Sequence, residues 1–198
     1  GQLTNHKKFG EDLAILAGDA LFLDPFGLIA ASALPDKVKV SLILALSDAS
    51  GSRGMVAGQV LDMEGEKKQL TLAELQTIHA NKTGRLLAYP FIAAASILEL
   101  QADIGQLLET IGKKLGLAFQ VRDDILDLVA DFEALGKTPQ KDLVAEKSTY
   151  PALLGLEESK ALLTSELDAC EDLLDQIRAA YDFDPQAIKK LIEGLRIH

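Results

Sequence analysis

Three aspartates, Asp123, Asp124 and Asp127, stand in a run that is otherwise apolar. Leu115, Leu117, Ala118, Val121, Ile125, Leu128 and Val129 recur around them at the spacing of a packed helix. Asp123 and Asp127 are four residues apart and share a face, and Asp124 lies one turn before Asp127. Like charges so placed repel unless a positive group compensates, and a carboxylate in a dry environment is costly without a partner. A divalent metal meets both demands, because hard Mg²⁺ takes carboxylate oxygens and keeps contact with substrate phosphates. The basic residues Lys82, Arg85, Lys137 and Lys147 could complete a metal–phosphate site. A solvent-facing acidic stripe is the plainer alternative, and spacing alone does not bring those lysines to the acids.

The rest of the composition limits what can position such a site. At 198 residues the chain suits one domain with a sizeable core. It has no tryptophan, so leucine, alanine and isoleucine supply most of the apolar surface, which favours helices over a sheet-built core. A formal charge of −10 argues against a nucleic-acid protein, whose backbone-contacting face is basic. A few lysines and a metal can still reverse the potential locally for an anionic ligand. Cys170 is the only cysteine, so no intramolecular disulfide forms; Leu167, Leu173 and Leu174 around it predict a packed thiol. With no signal-peptide pattern, and with apolar runs short or interrupted by charge and glycine, the expectation is a cytoplasmic protein without membrane insertion.

Helical periodicity covers most of the chain. Residues 8–33 read as one helix that Pro25 should kink or interrupt, and Pro35 marks the next junction. Residues 38–49 and 55–64 read as helices on either side of a break at Gly51 to Gly54. Thr71 to Glu74 is a capping-box pattern that starts a helix running toward Ala95, with a bend at Pro90. Residues 104–131 carry the strongest helical pattern, in which Gly105, Gly112 and Gly116 would allow tight packing. Residues 132–148 are the least regular, Pro151 fits the first turn of the next helix, and Asp184-Pro185 caps the last. The expectation is an all-α bundle of long, kinked core helices.

These motifs, taken in order, carry a family resemblance. Phe119-Gln120-x-x-Asp123-Asp124-x-x-Asp127 resembles the second aspartate-rich motif of the trans-isoprenyl diphosphate synthases. Gly58-Gln59-x-x-Asp62, His79-x-x-Lys82-Thr83-Gly84 and Gly136-Lys137 resemble further motifs of that family in matching order. Lys147-Ser148-Thr149-Tyr150-Pro151 and the residues to Gly155 are similar to its bacterial farnesyl diphosphate synthase branch. Phe9-Gly10-Glu11 and the residues from Ala14 to Asp19 resemble the segment that follows the first aspartate-rich motif. Two departures stand out. Gln140 and Glu146 occupy positions often held by glycine in the lysine-rich region. The first aspartate-rich motif and its arginine pair have no counterpart, so residues 1–198 read as one domain lacking the family's amino-terminal helices.

The resemblance implies an isoprenoid-synthase-type helical bundle around a central cavity, homodimeric and Mg²⁺-dependent. It implies condensation of isopentenyl diphosphate with dimethylallyl or geranyl diphosphate, giving a short trans-polyprenyl diphosphate, chiefly farnesyl diphosphate. Asp123, Asp124 and Asp127 would form one of two metal-binding walls, with Asp123 the foremost direct ligand. Lys82 and Lys137 would bind the allylic diphosphate, Thr83 and Gln120 would orient it, and Lys147 would support the closed phosphate end or the acid wall. A noncatalytic synthase-like subunit and a terpene cyclase are the competing expectations. With half of its metal wall absent, the isolated chain is expected to be weak or inactive.

Overall fold

The computed structural model describes residues 2–66, 68–135 and 148–197, and every regular element among them is helical. Lys137 and Lys147 lie outside the described residues, as do Gly136, Gln140 and Glu146. Helix α1 (Asn5–Phe9) is separated from α2 (Glu11–Ala31) by Gly10, whose φ of +96° splits the single helix expected there. Pro25 lies inside α2 without ending it, since a proline removes one backbone donor and the neighbouring bonds continue. Of a kink or an interruption at Pro25, the interruption is thereby excluded. By length and composition α2 could cross a membrane, at a mean hydropathy of 1.7, and none of that stretch is buried.

Helix α3 (Asp36–Ser50) starts at the Pro35 junction, and α4 (Met55–Gly65) follows the expected break. Helix α5 (Leu72–His79) opens on the capping box: Glu74 N–H donates to Thr71 Oγ1 at 3.3 Å, and Thr71 N–H donates to the Glu74 carboxylate at 2.8 Å. Residues 80–84 then form a single π-helical turn before α6 (Arg85–Ile97), which contains Pro90. Helix α7 (Ala102–Leu135) is the central element, starting two residues before and ending four residues beyond the stretch the pattern foretold. Short α8 (Tyr150–Leu154), long α9 (Leu156–Ala180) and α10 (Gln186–Glu193) complete the order.

The core forms around α7. Ile111, Leu115, Ala118, Val121 and Ile125 are buried in one cluster with Leu163, Leu167, Cys170 and Leu174 of α9. On its other side α7 meets α6 and the π-turn almost backbone to backbone. A Cβ at Gly112 would lie 2.6 Å from Ala88 Cα, and one at Gly116 would lie 2.6 Å from Gly84 Cα. The tight packing expected of these two glycines is therefore observed, and it fixes the π-turn against the middle of α7.

Candidate active site

Gln120, Asp123, Asp124 and Asp127 fall at positions i, i+3, i+4 and i+7 of α7, one continuous stripe. All four line a cavity of about 420 Å³, together with Asp62, Lys82, His79 and Ser148. One part of the sequence argument needs correction. Asp123 and Asp127 are exposed and Asp124 is half-buried, so a dry environment is not what makes the cluster costly. Mutual repulsion does. Among the described residues, Asp62, Glu66, Asp123, Asp124 and Asp127 bring five carboxylates to one hollow, against one lining ammonium, that of Lys82. An anionic ligand enters such a hollow only with cations.

The π-turn delivers the cationic side. Its backbone is wedged between α4 and α7: a Cβ at Gly58 would lie 2.1 Å from Lys82 N, and Gly116 abuts Gly84 opposite. Two hydrogen bonds brace it further. Lys82 Nζ donates to Asp62 Oδ2 at 2.5 Å, and Thr83 Oγ1 donates to Gln120 Oε1 at 2.6 Å. Gln120 is buried, so its amide needs such a partner. Single π-turns inside helices recur at functional sites, because the extra residue turns side chains out of the regular face.

The far wall closes with the start of α8. Tyr150 N–H donates to Asp124 Oδ2 at 2.9 Å, and Leu70 N–H donates to Ser148 Oγ at 3.0 Å. The Tyr150 ring is wholly buried, 5.5 Å from the His79 ring and tilted by 50°. Burial, then the charges of Asp124 and Glu166, push the Tyr150 phenol well above its ordinary pKa. His79 thus packs on the Tyr150 ring while lining the cavity.

Of the residues predicted from sequence, Lys82, Thr83, Gln120, Asp123, Asp124 and Asp127 come together. Asp62 was visible only as part of a motif, without a role, and Ser148 and Tyr150 carried no separate signal. The oxygen donors suit a hard cation such as Mg²⁺. No three carboxylate, histidine or cysteine groups converge as a preformed cage among the described residues. Mg²⁺ does not require one, being held through one or two carboxylates with phosphate oxygens and water. A second, more open hollow of about 610 Å³ lies around Lys37, Ser41, Ser96, Glu99 and Glu109, and holds none of the predicted residues.

Known proteins match this chain in sequence and in fold. The polyprenyl synthetase family profile matches residues 1–183. The farnesyl diphosphate synthase of Micrococcus luteus is 48% identical over 193 residues, which are 98% of this chain and 66% of that protein. Geranylgeranyl pyrophosphate synthase 7, chloroplastic, of Arabidopsis thaliana is 40% identical over 197 residues, 97% of this chain and 55% of that one. Among solved structures, the geranyltransferase of Helicobacter pylori complexed with magnesium and isoprenyl diphosphate matches with a TM-score of 0.78 at 32% identity. That match covers 98% of this chain and 62% of that one. The chain therefore spans two thirds or less of the length of these relatives.

Proposed function

The chain belongs to the polyprenyl synthetase family, the trans-isoprenyl diphosphate synthases, close to the bacterial farnesyl diphosphate synthases, and on that premise we propose that its protein is a prenyltransferase. The proposed reaction joins isopentenyl diphosphate to dimethylallyl or geranyl diphosphate, with farnesyl diphosphate the main product. The observation that carries this reading is one cavity holding the acid stripe of α7 and the ammonium of Lys82.

Asp123 would hold Mg²⁺ directly, with Asp124 and Asp127 acting directly or through water and hydrogen bonds. Bound there, the cation would offset the charge that develops on the departing diphosphate. Lys82, already held in the cavity by Asp62, would exchange that partner for the allylic diphosphate, with Lys137 and Lys147 supporting the same group. The Thr83–Gln120 pair would orient the reacting end. The allylic carbon–oxygen bond breaks and its electron pair leaves with pyrophosphate. The alkene of isopentenyl diphosphate then forms the new carbon–carbon bond. A proton leaves the adjacent carbon, with pyrophosphate as its acceptor, and a trans double bond results. Association as a cytoplasmic homodimer belongs to the same proposal, and the exposed apolar length of α2 supports the association.

The test is product mass analysis with each allylic donor, with and without Mg²⁺. It should be run on the 198-residue chain and on the chain joined to the part of the Micrococcus luteus enzyme that it does not cover. The expected outcome is Mg²⁺-dependent farnesyl diphosphate from the extended protein and weak or no turnover from the chain alone. Asp123→Ala in the extended form should cut turnover by about a thousandfold while keeping the helical circular dichroism. An extended form that folds yet makes no prenyl product would refute the enzyme reading and favour a noncatalytic subunit.

A further inference from the structure

Asp124 differs from the two other acids of its stripe in what it touches. Asp123 and Asp127 stand exposed, whereas Asp124 is half-buried and accepts the Tyr150 backbone N–H at 2.9 Å. That bond ties the middle of α7 to the first residue of α8. Ser148, two residues earlier, is held from another side, where its Oγ accepts the Leu70 N–H at 3.0 Å. Tyr150 adds a third hold through its buried ring, which packs on His79 at the end of α5. The Thr149 hydroxyl is turned to its own helix, where it accepts the Ala152 N–H at 3.3 Å. Residues 148–150 are thus pinned to α7, to α5 and to the segment that precedes α5.

We propose that Asp124 is a positioning residue: its carboxylate anchors the start of α8 to the acid-bearing face of α7, fixing where the chain returns to the cavity. The assignment rests on the functional reading above for its kinetic consequences, and on hydrogen-bond geometry alone for its structural ones. One carboxylate oxygen is already committed to a backbone donor. The negative charge shared with that donor makes Asp124 a weaker hold on a cation than Asp123. Asparagine keeps an acceptor oxygen at this place without the charge. Alanine removes the acceptor, and leucine removes it while filling the half-buried space.

The experiment compares Asp124→Asn, Asp124→Ala and Asp124→Leu with Asp123→Asn in the extended protein. Amide hydrogen exchange at residues 148–155 is followed beside the Mg²⁺ and allylic-diphosphate dependence of turnover. In Asp124→Asn, which keeps the acceptor oxygen, exchange at Tyr150 should match the parent within about twofold. In Asp124→Ala, exchange at Tyr150 should quicken by about tenfold or more and KM for the allylic diphosphate should rise by about tenfold. Asp123→Asn should do the reverse, raising half-saturating Mg²⁺ by about tenfold and leaving the exchange alone. If Asp124→Ala does not fold, Asp124→Leu reports the same loss of acceptor. Unchanged Tyr150 protection in the alanine or leucine variant would overturn the proposal, as would an Asp124→Asn protein whose Tyr150 exchange quickens as in Asp124→Ala. A parent protein without turnover would sink the functional reading, and the exchange comparison would still decide the anchor.

Discussion

Cys170 shows how completely packing sets the chemistry of one side chain. It is fully buried in the α7–α9 core, and its Sγ lies 3.8 Å from the Ile111 carbonyl oxygen. Burial pushes the thiol from an ordinary 9.0 up to about 12. Well below pH 9 the thiol is neutral in both the folded and unfolded chain and contributes nothing to pH dependence. Above it the unfolded chain loses its proton first, so stability falls as pH rises from about 9 toward 12. The urea midpoint of the parent should therefore drop between pH 9 and 11 by more than that of Cys170→Ala; equal drops would mean the thiol is not so shielded. This burial was legible from Leu167, Leu173 and Leu174, all within one turn of the cysteine. The α7 acid stripe was legible for the same reason, since its spacing is local. Asp62 and Tyr150 were not, because their partners Lys82 and Asp124 lie 20 and 26 residues away and periodicity carries no information at that range.

At the scale of elements, the site depends on a turn that has no side-chain signature. A π-turn inserts one residue into a helical run, so the apolar stripe merely shifts face, and the stretch from α5 to α6 reads as a single bent helix. Its grip on the neighbouring helices was half legible: the glycines of α7 predicted close approach without saying to what. Gly116 and Gly105 separate the two roles a helical glycine can have. A methyl group at Gly116 meets the Gly84 backbone, which cannot yield without moving Lys82 and Thr83. At Gly105 the nearest atom is Ala95 Cβ at 3.7 Å, ordinary contact. Gly116→Ala should thus cost about 1–3 kcal/mol of stability and raise KM for the allylic diphosphate. Gly105→Ala should be neutral or stabilising by up to about 1 kcal/mol, through helix propensity. Thermal midpoints and steady-state kinetics on the pair check this, and equal effects at both positions would remove the argument from backbone contact.

At the scale of the whole molecule, α2 is the unsettled element. A helix apolar on all sides is stable when something covers it, whether a protein interior or a membrane. Here Ala14, Pro25 and Ile29 are half-buried along one side of the helix. Leu13, Leu16 and Leu23 fall on the opposite side and are 55%, 62% and 66% exposed. Sequence reading underrated this surface, because Pro25 and the acids Asp19 and Asp24 looked like interruptions and the helix absorbs all three. A second copy is the occupant the family reading favours, with the Leu13–Leu16–Leu23 side meeting its counterpart across a two-fold axis. Glutamate at Leu16 and Leu23 would place two charges in that contact while leaving the chain's own core untouched, since neither residue is buried. The extended protein should sediment as a dimer. Leu16→Glu with Leu23→Glu should shift it to monomer at micromolar concentration, a weakening of about a hundredfold or more, with unchanged helical circular dichroism. A doubly substituted protein that stays dimeric would place the contact elsewhere, and parent protein that floats with lipid vesicles while the variant does not would make α2 a membrane-seeking helix instead.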